Sequence, residues 1–184
     1  LDGASSAYHL PLALRLSGPL DRAALQTALD RVLARHESLR TRFVLDARGD
    51  GEPEQHIDDP APFPLVHHDL TGRTHADAAA EHQRLVTAEA GAPFDLARGP
   101  LVRGRLIALG AQEHTLLLTL HHIVCDGWSM GILVRELGSL YAAARGGGAD
   151  IVPEPAVQYP DFALWQREQL TPENTAPQAD YWQR

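Results

Sequence analysis

Hydrophobic residues along this chain recur at two spacings, one typical of β-strands and the other of α-helices. The helical spacing of Leu25, Leu29 and Leu33 predicts a helix that follows an N-cap at Asp21. Strands are predicted at 8–16, 40–45, just after a turn at 48–51, and at 64–69, 101–109 and 114–122. Helices are predicted at 21–36, 75–90, 129–145 and 161–170, with a loop at 91–100 and a linker at 149–160.

The predicted strand 114–122 differs from the others because its residues are nearly all apolar. Leu116, Leu117, Leu118 and Leu120 leave no polar face, which indicates a central strand covered on both sides. Strands and helices that alternate along one chain are typical of a mixed α/β (α+β) domain. We therefore predict a central mixed sheet flanked by helices.

The charge balance bears on possible partners. The 184 residues include 16 Lys and Arg against 24 Asp and Glu, a formal net charge of -8. Nucleic-acid binding depends on clustered basic residues that neutralise phosphates. We therefore expect no nucleic-acid partner for this chain.

The number of cysteines and the length of the apolar segments indicate the cellular compartment. Cys125 is the single cysteine, which excludes an internal disulfide framework and favours a reducing compartment. No apolar run reaches the roughly 18 to 20 residues that a membrane span requires, and no signal peptide is recognisable at the start. We expect a cytoplasmic protein with no membrane partner. The first residue is Leu1 rather than Met, and both ends suggest a piece of a longer protein.

The segment 121–129, His-His-Ile-Val-Cys-Asp-Gly-Trp-Ser, carries the strongest chemical signal. Neighbouring side chains on a strand point to opposite faces, so one histidine can reach a substrate while the other packs behind it. An imidazole titrates near neutral pH and suits the handling of a proton on an attacking amine or hydroxyl. A His-His pair can also be ordinary packing. Zinc binding by His122 and Asp126 would need a helix and a third ligand, neither of which the sequence offers, so we expect no metal.

Several stretches resemble one known family. The pattern HHxxxDG at 121–127 resembles the active-site motif of the condensation domains of nonribosomal peptide synthetases. The further stretches are 35–43 (RHESLRTRF), 94–96 (FDL), 99–101 (GPL) and 159–166 (YPDFALWQ), and all occur in the family's order. The histidines argue against the cyclising relatives, which carry aspartate there.

The resemblance implies the chloramphenicol acetyltransferase fold, in which two similar lobes form a V around the active site. Residues 1–184 would be the N-terminal lobe, with the C-terminal lobe absent from this chain, and the isolated chain would be inactive. The implied reaction joins a donor acyl thioester to an acceptor aminoacyl thioester through an amide bond. Both groups would arrive on phosphopantetheine arms, with no intrinsic cofactor. The implied partners are upstream and downstream peptidyl carrier proteins, an adjacent adenylation domain and the missing lobe.

The resemblance also implies roles for individual residues. His122 corresponds to the family's essential residue, which acts as a base or positions the acceptor amine. Asp126 is expected to hold the turn through an ion pair, with Arg40 as the candidate partner in this chain or an arginine of the missing lobe. The expected site set is His121, His122, Asp126 and Gly127 for catalysis, Arg40 and Trp128 for structural support, and Cys125 and Ser129 as tunnel lining.

Four further interpretations complete the set. Gly127 should let the backbone approach the substrate, and Phe162 with Trp165 is expected to pack in the core. An ester-forming O-acyltransferase of the same fold is a second possible function. A degenerate domain that only recruits partners is a third, although such a module does not need the intact motif.

Overall fold

The computed structural model describes residues 8–45, 53–147 and 152–183. The strands are β1 (His9–Ser17), β2 (Thr41–Val44), β3 (Glu54–Ile57), β4 (Leu65–Asp69), β5 (Val102–Gly110) and β6 (Glu113–His121). The helices are α1 (Arg22–Arg35), α2 (His75–Gly91), α3 (Gly127–Gly146), α4 (Tyr159–Gln169) and α5 (Pro172–Trp182), with a short 3-10 helix at Glu37–Arg40.

Four strands form the main sheet in the order β1-β6-β5-β4. The β1–β6 and β6–β5 pairs are antiparallel and the β5–β4 pair is parallel, so the sheet is mixed. β2 and β3 form a separate antiparallel pair. The predicted mixed sheet with flanking helices is confirmed.

The apolar strand β6 has two faces that serve two cores. Leu116, Leu118 and Leu120 pack in the larger core, which α1 and α3 also supply. Leu117 points the other way and packs with Leu85 of α2 in the smaller core. Side chains alternate across a strand, so helices on both sides bury residues on both of its faces, as they do along β6. The prediction of a doubly covered central strand is confirmed.

Local signals explain where the first and third helices begin and end. The Asp21 carboxylate accepts a hydrogen bond from the Ala24 N–H at 2.9 Å, which caps α1 as predicted. Gly147 follows the last residue of α3 with a φ of 64°, a left-handed conformation that glycine adopts without steric cost. The predicted turn at 48–51 lies outside the described residues.

The C-terminal helices depart from the predictions. α4 begins at Tyr159, two residues before the predicted start, and α5 was not predicted. The prediction that Phe162 and Trp165 belong to the core is wrong, since both rings are exposed and contact each other at a centroid distance of 5.7 Å. Among the described residues, no helix is both long and apolar enough to cross a membrane.

Candidate active site

The turn after β6 places the two histidines in different environments. β6 ends at His121, one residue before the predicted end, and the backbone N–H of His122 donates to the Tyr8 carbonyl at 2.7 Å. The Val124 N–H donates to the His121 carbonyl at 3.0 Å, which closes the turn. His121 is buried and His122 is exposed. At the end of β6, His121 is therefore placed to pack in the interior and His122 to contact a substrate.

His121 packs among aromatic rings and fixes the turn. Its Nδ1 accepts the Ile123 N–H at 3.1 Å, so the neutral ring carries its proton on Nε2. The rings of Tyr8, His9 and Phe94 lie 6.0 to 6.3 Å from it, centroid to centroid. Burial, assisted by His9 and His122, lowers the pKa of His121 below its ordinary value.

We expect His121→Ala to lower the free energy of unfolding by about 2 to 3 kcal/mol, because a packed ring and a buried hydrogen bond are lost together. The lowered pKa adds a pH signature. Below about pH 6.5 the unfolded chain takes up a proton that the folded His121 resists, so wild-type stability falls as the pH drops. Denaturant unfolding from pH 5 to 8 should show that this contribution is missing in the variant. Equal stability of His121→Ala and the exposed-site control His122→Ala would contradict the packing role.

Asp126 is the N-cap of α3. Its Oδ1 accepts the Ser129 N–H at 2.8 Å and the Ser129 hydroxyl at 2.6 Å, and these bonds lower the pKa of Asp126. The carboxylate is exposed. α3 accordingly begins two residues before the predicted start at Ser129. The helix cap thus bonds Ser129, two residues after the motif, to the aspartate of the motif.

The predicted ion pair between Asp126 and Arg40 is not formed in this chain. Arg40 Nη1 donates to the Asp58 carbonyl at 2.6 Å, and its Nη2 lies 3.6 Å from the Glu37 carboxylate. A buried carboxylate would need a cation, but the Asp126 carboxylate is exposed and accepts its hydrogen bonds from Ser129. Arg40 instead supports the 3-10 helix and the end of β3.

We expect Asp126→Ala to lower the melting temperature by a few degrees, because the Ser129 N–H loses the acceptor that caps α3. Asp126→Asn should cost less, because an asparagine oxygen still accepts the Ser129 N–H. Thermal melts of the two variants would measure the difference. Equal, large losses in both variants would instead indicate a charge-dependent ion pair.

Cys125 is 8% exposed and lies beneath the turn, with its Sγ 3.5 Å from the Met130 Sδ. Burial, together with the negative charge of Asp126, raises the pKa of the thiol to about 11. Since the thiolate is the nucleophile, the folded protein should hold this thiol inert at neutral pH.

We expect a thiol reagent at pH 7.5 to label Cys125 at least about a hundred times more slowly in the folded protein than in urea, since both access and thiolate fraction are reduced. Mass spectrometry over time would follow the label. Rapid labelling of the native protein would show that the thiol is open to solvent.

Gly127, Trp128 and Ser129 form the first turn of α3. A Cβ added at Gly127 would meet nothing within 4 Å, so space lies in front of this backbone. Trp128 is 83% exposed and does not support the described lobe, contrary to the expectation of structural support. Ser129 lines the cavity described next and bonds to Asp126.

A cavity of about 360 Å³ lies beside the turn. Its lining includes four residues of the predicted site, from the turn before α3 and from the first turn of α3: His122, Cys125, Asp126 and Ser129. The lining residues that sequence reasoning missed are His36, Ser38, Thr41, Phe43, Gln55, Ile123, Val124, Pro155, Val157, Gln158 and Tyr159. Seven of these fall in the stretches that carried the family resemblance, namely His36, Ser38, Thr41, Phe43, Ile123, Val124 and Tyr159, whereas Gln55, Pro155, Val157 and Gln158 carried no signal.

His36 is held at the cavity by a carboxylate. Its Nε2 lies 2.7 Å from Glu136 Oε2 on α3, and Arg35 Nε lies 3.6 Å from the same oxygen. The contact joins the end of α1 to the helix that carries the motif. Within 8–45, 53–147 and 152–183, no three His, Cys, Asp or Glu side chains come together as metal ligands.

Comparisons with known proteins agree with this geometry. The family model for the condensation domain matches residues 1–184. Chondramide synthase cmdD of Chondromyces crocatus is 46% identical over the whole chain, which spans only 5% of that synthase.

Two solved structures are similar to the fold. The X-domain of teicoplanin biosynthesis, solved in complex with OxyB, has a TM-score of 0.75 and 40% identity, covering 89% of this chain and 34% of its own. The first condensation domain of the calcium-dependent antibiotic synthetase, solved with a substrate analogue, has a TM-score of 0.76 and 33% identity, covering 93% and 40%. Together with the family match, these likenesses show that the chain belongs to the condensation domain family of nonribosomal peptide synthetases.

Proposed function

We propose that the domain containing this chain forms an amide bond between a donor acyl thioester and an acceptor aminoacyl thioester. The observation that carries the proposal is the exposed imidazole of His122 at a cavity of about 360 Å³, on a turn fixed from both sides. An imidazole so placed can accept the proton of the attacking amine or hold that amine in position. The amine nitrogen bonds to the thioester carbon, and the resulting tetrahedral intermediate breaks its C–S bond. The donor arm leaves as a thiolate, which takes up the proton.

The substrates arrive on phosphopantetheine arms of upstream and downstream carrier proteins, beside an adenylation domain. Two tethered thioesters held in one cavity react at a high effective concentration, so proximity supplies much of the rate. Residues 1–184 act as the N-terminal lobe, and a C-terminal lobe completes the tunnel. The unpaired thiol of Cys125 fits work in the reducing cytoplasm.

The experiment compares acceptors that differ only in the attacking atom. The complete domain is given one loaded donor carrier and an acceptor bearing either an amine or an isosteric hydroxyl. Amide product with the amine supports the proposal, and faster ester formation would favour the O-acyltransferase alternative. Residues 1–184 alone should give no product, since one lobe cannot align two thioesters.

A recruiting role is a second candidate, favoured by the similarity to the teicoplanin X-domain that was solved with OxyB. It predicts partner binding without product from the complete domain. The intact His122 and its cavity are the features against it, because partner recruitment needs neither.

A further inference from the structure

One wall of the cavity is an irregular segment rather than a helix or strand. Residues 152–158, here called the strap, follow α3 and lead into α4. Pro155, Val157 and Gln158 of the strap line the cavity together with His122. The other lining residues belong to the site turn, the start of α3, the 3-10 helix and the β2–β3 pair. His36, just after α1, and Tyr159, the first residue of α4, complete the lining.

Arg35 at the end of α1 fixes the first half of the strap. Its guanidinium donates to the Val152 and Pro153 carbonyls and to the Glu154 carboxylate, the first and last at 3.1 and 3.0 Å. The Arg35 side chain is only 4% exposed. A buried guanidinium whose Nη1 and Nη2 donate to three successive residues restrains the first half of the strap.

Gln158 fixes the other end. Its amide Nε2 donates to the Arg35 carbonyl at 2.9 Å and its Oε1 accepts the Glu37 N–H at 3.2 Å. The Gln158 N–H donates to Asp161 Oδ2 at 3.0 Å as part of a capping box for α4. The strap is therefore tethered at both ends to the same corner, where α1 meets the 3-10 helix.

Between the tethers the strap offers an apolar surface. Pro155 and Val157 line the cavity, as do Phe43, Ile123 and Val124. Val157 is 64% exposed even though its backbone is fixed. Its isopropyl group is thus free to contact a molecule that enters the cavity.

We propose that the strap selects the acyl group by size, with Val157 contacting an apolar side chain of the donor or the acceptor. This inference rests on the proposed amide-forming function. A loop wall that moved would adapt to any group, whereas a tethered wall keeps a fixed shape. Fixed apolar pockets discriminate one methylene by roughly 10- to 200-fold.

The test uses the complete domain with both loaded carrier proteins. Val157→Trp fills the cavity, and Val157→Ala enlarges it. Val66→Trp is the matched control, because Val66 is similarly exposed on the edge strand β4 and does not line the cavity. Donor and acceptor side chains are varied in turn from alanyl to leucyl, and kcat/KM is measured for each, with thermal melts to verify folding.

We expect Val157→Trp to lower the leucyl-to-alanyl ratio of kcat/KM at least tenfold in one of the two series. Val157→Ala should raise the leucyl-to-alanyl ratio of kcat/KM in the same series. Val66→Trp should leave this ratio unchanged in both the donor and the acceptor series. If both Val157 variants keep leucyl-to-alanyl ratios within twofold of wild type, the size-selection inference is overturned and the proposed amide-forming function is not. A wild-type domain that makes no amide would overturn the proposed function, and the inference with it.

Discussion

Replacing His122 with alanine in the complete domain is expected to reduce amide formation by at least a hundredfold while the melting temperature stays unchanged. A positioned general base contributes about 10²- to 10⁴-fold to a rate. The side chain is exposed and makes no hydrogen bond within the described part of the chain, so its removal should not affect packing. Only the backbone N–H of His122 takes part in the turn, and alanine keeps it.

The measurement is product formation from two loaded carrier proteins, read by mass spectrometry beside circular dichroism. His75→Ala is the control, since it also removes an exposed histidine but from the start of α2. A near-normal rate for His122→Ala would remove this residue from the mechanism. A loss of both rate and folding would instead assign it to the structure.

The largest effect on stability is expected at Glu89, which is 3% exposed on α2. Its two oxygens accept hydrogen bonds from Arg103 at 2.6 Å and Arg105 at 2.5 Å, both on β5. Removing one member of a buried ion pair typically costs about 3 to 5 kcal/mol because the partner charge is left uncompensated. Glu89→Ala leaves the charges of both arginines without their carboxylate partner, so we expect the free energy of unfolding to fall by an amount in that range.

The matched control is Glu113→Ala, which breaks an exposed pair with Arg15 at 2.9 Å. Exposed pairs contribute at most about 1 kcal/mol, so this variant should unfold close to wild type. Denaturant melts of both variants provide the comparison. Equal, small losses would show that water reaches the Glu89 cluster and screens it.

Acid should weaken the same cluster. Burial acts to raise the pKa of Glu89, but the hydrogen bonds from Arg105 and Arg103 outweigh it and the pKa lies below its ordinary value. A lowered carboxyl pKa contributes stability above the unfolded value near 4.5, and this contribution is lost as the pH falls through the folded value. The Glu89 contribution should therefore decline once the pH falls below the unfolded value and be lost below the folded one, which denaturant melts of wild type and Glu89→Ala across acidic pH would measure.

Much of the fold was predictable because its signals are local and strong. The leucines of β6 can be buried only between two covered faces, and the Asp21 side chain marks the start of α1 by capping it. α5 was missed because Pro177 lies inside its sequence and none of its residues is buried. Without a buried stripe there is no periodic pattern to detect.

The site was predictable only where one segment contains it. The turn 121–129 brings His122, Cys125 and Ser129 to one cavity through bonds between near neighbours. Arg40 was assigned the wrong partner because its contacts, the Glu37 carboxylate and the Asp58 backbone carbonyl, cannot be ranked from sequence spacing alone. The strap carried no signal because its contacts with Arg35 join residues more than a hundred positions apart.

The pairing of β1 with β6 has a consequence for synthesis on the ribosome. Leu12 pairs with Leu118, so the first strand waits for more than a hundred further residues before its partner exists. At about 5 to 20 residues per second, that wait lasts between roughly five and twenty seconds. During this time β1 has an open edge and an apolar face, the condition in which nascent strands associate with other chains. The Tyr8–His122 bond therefore cannot form, and the turn that carries His122 cannot close, until β6 has emerged.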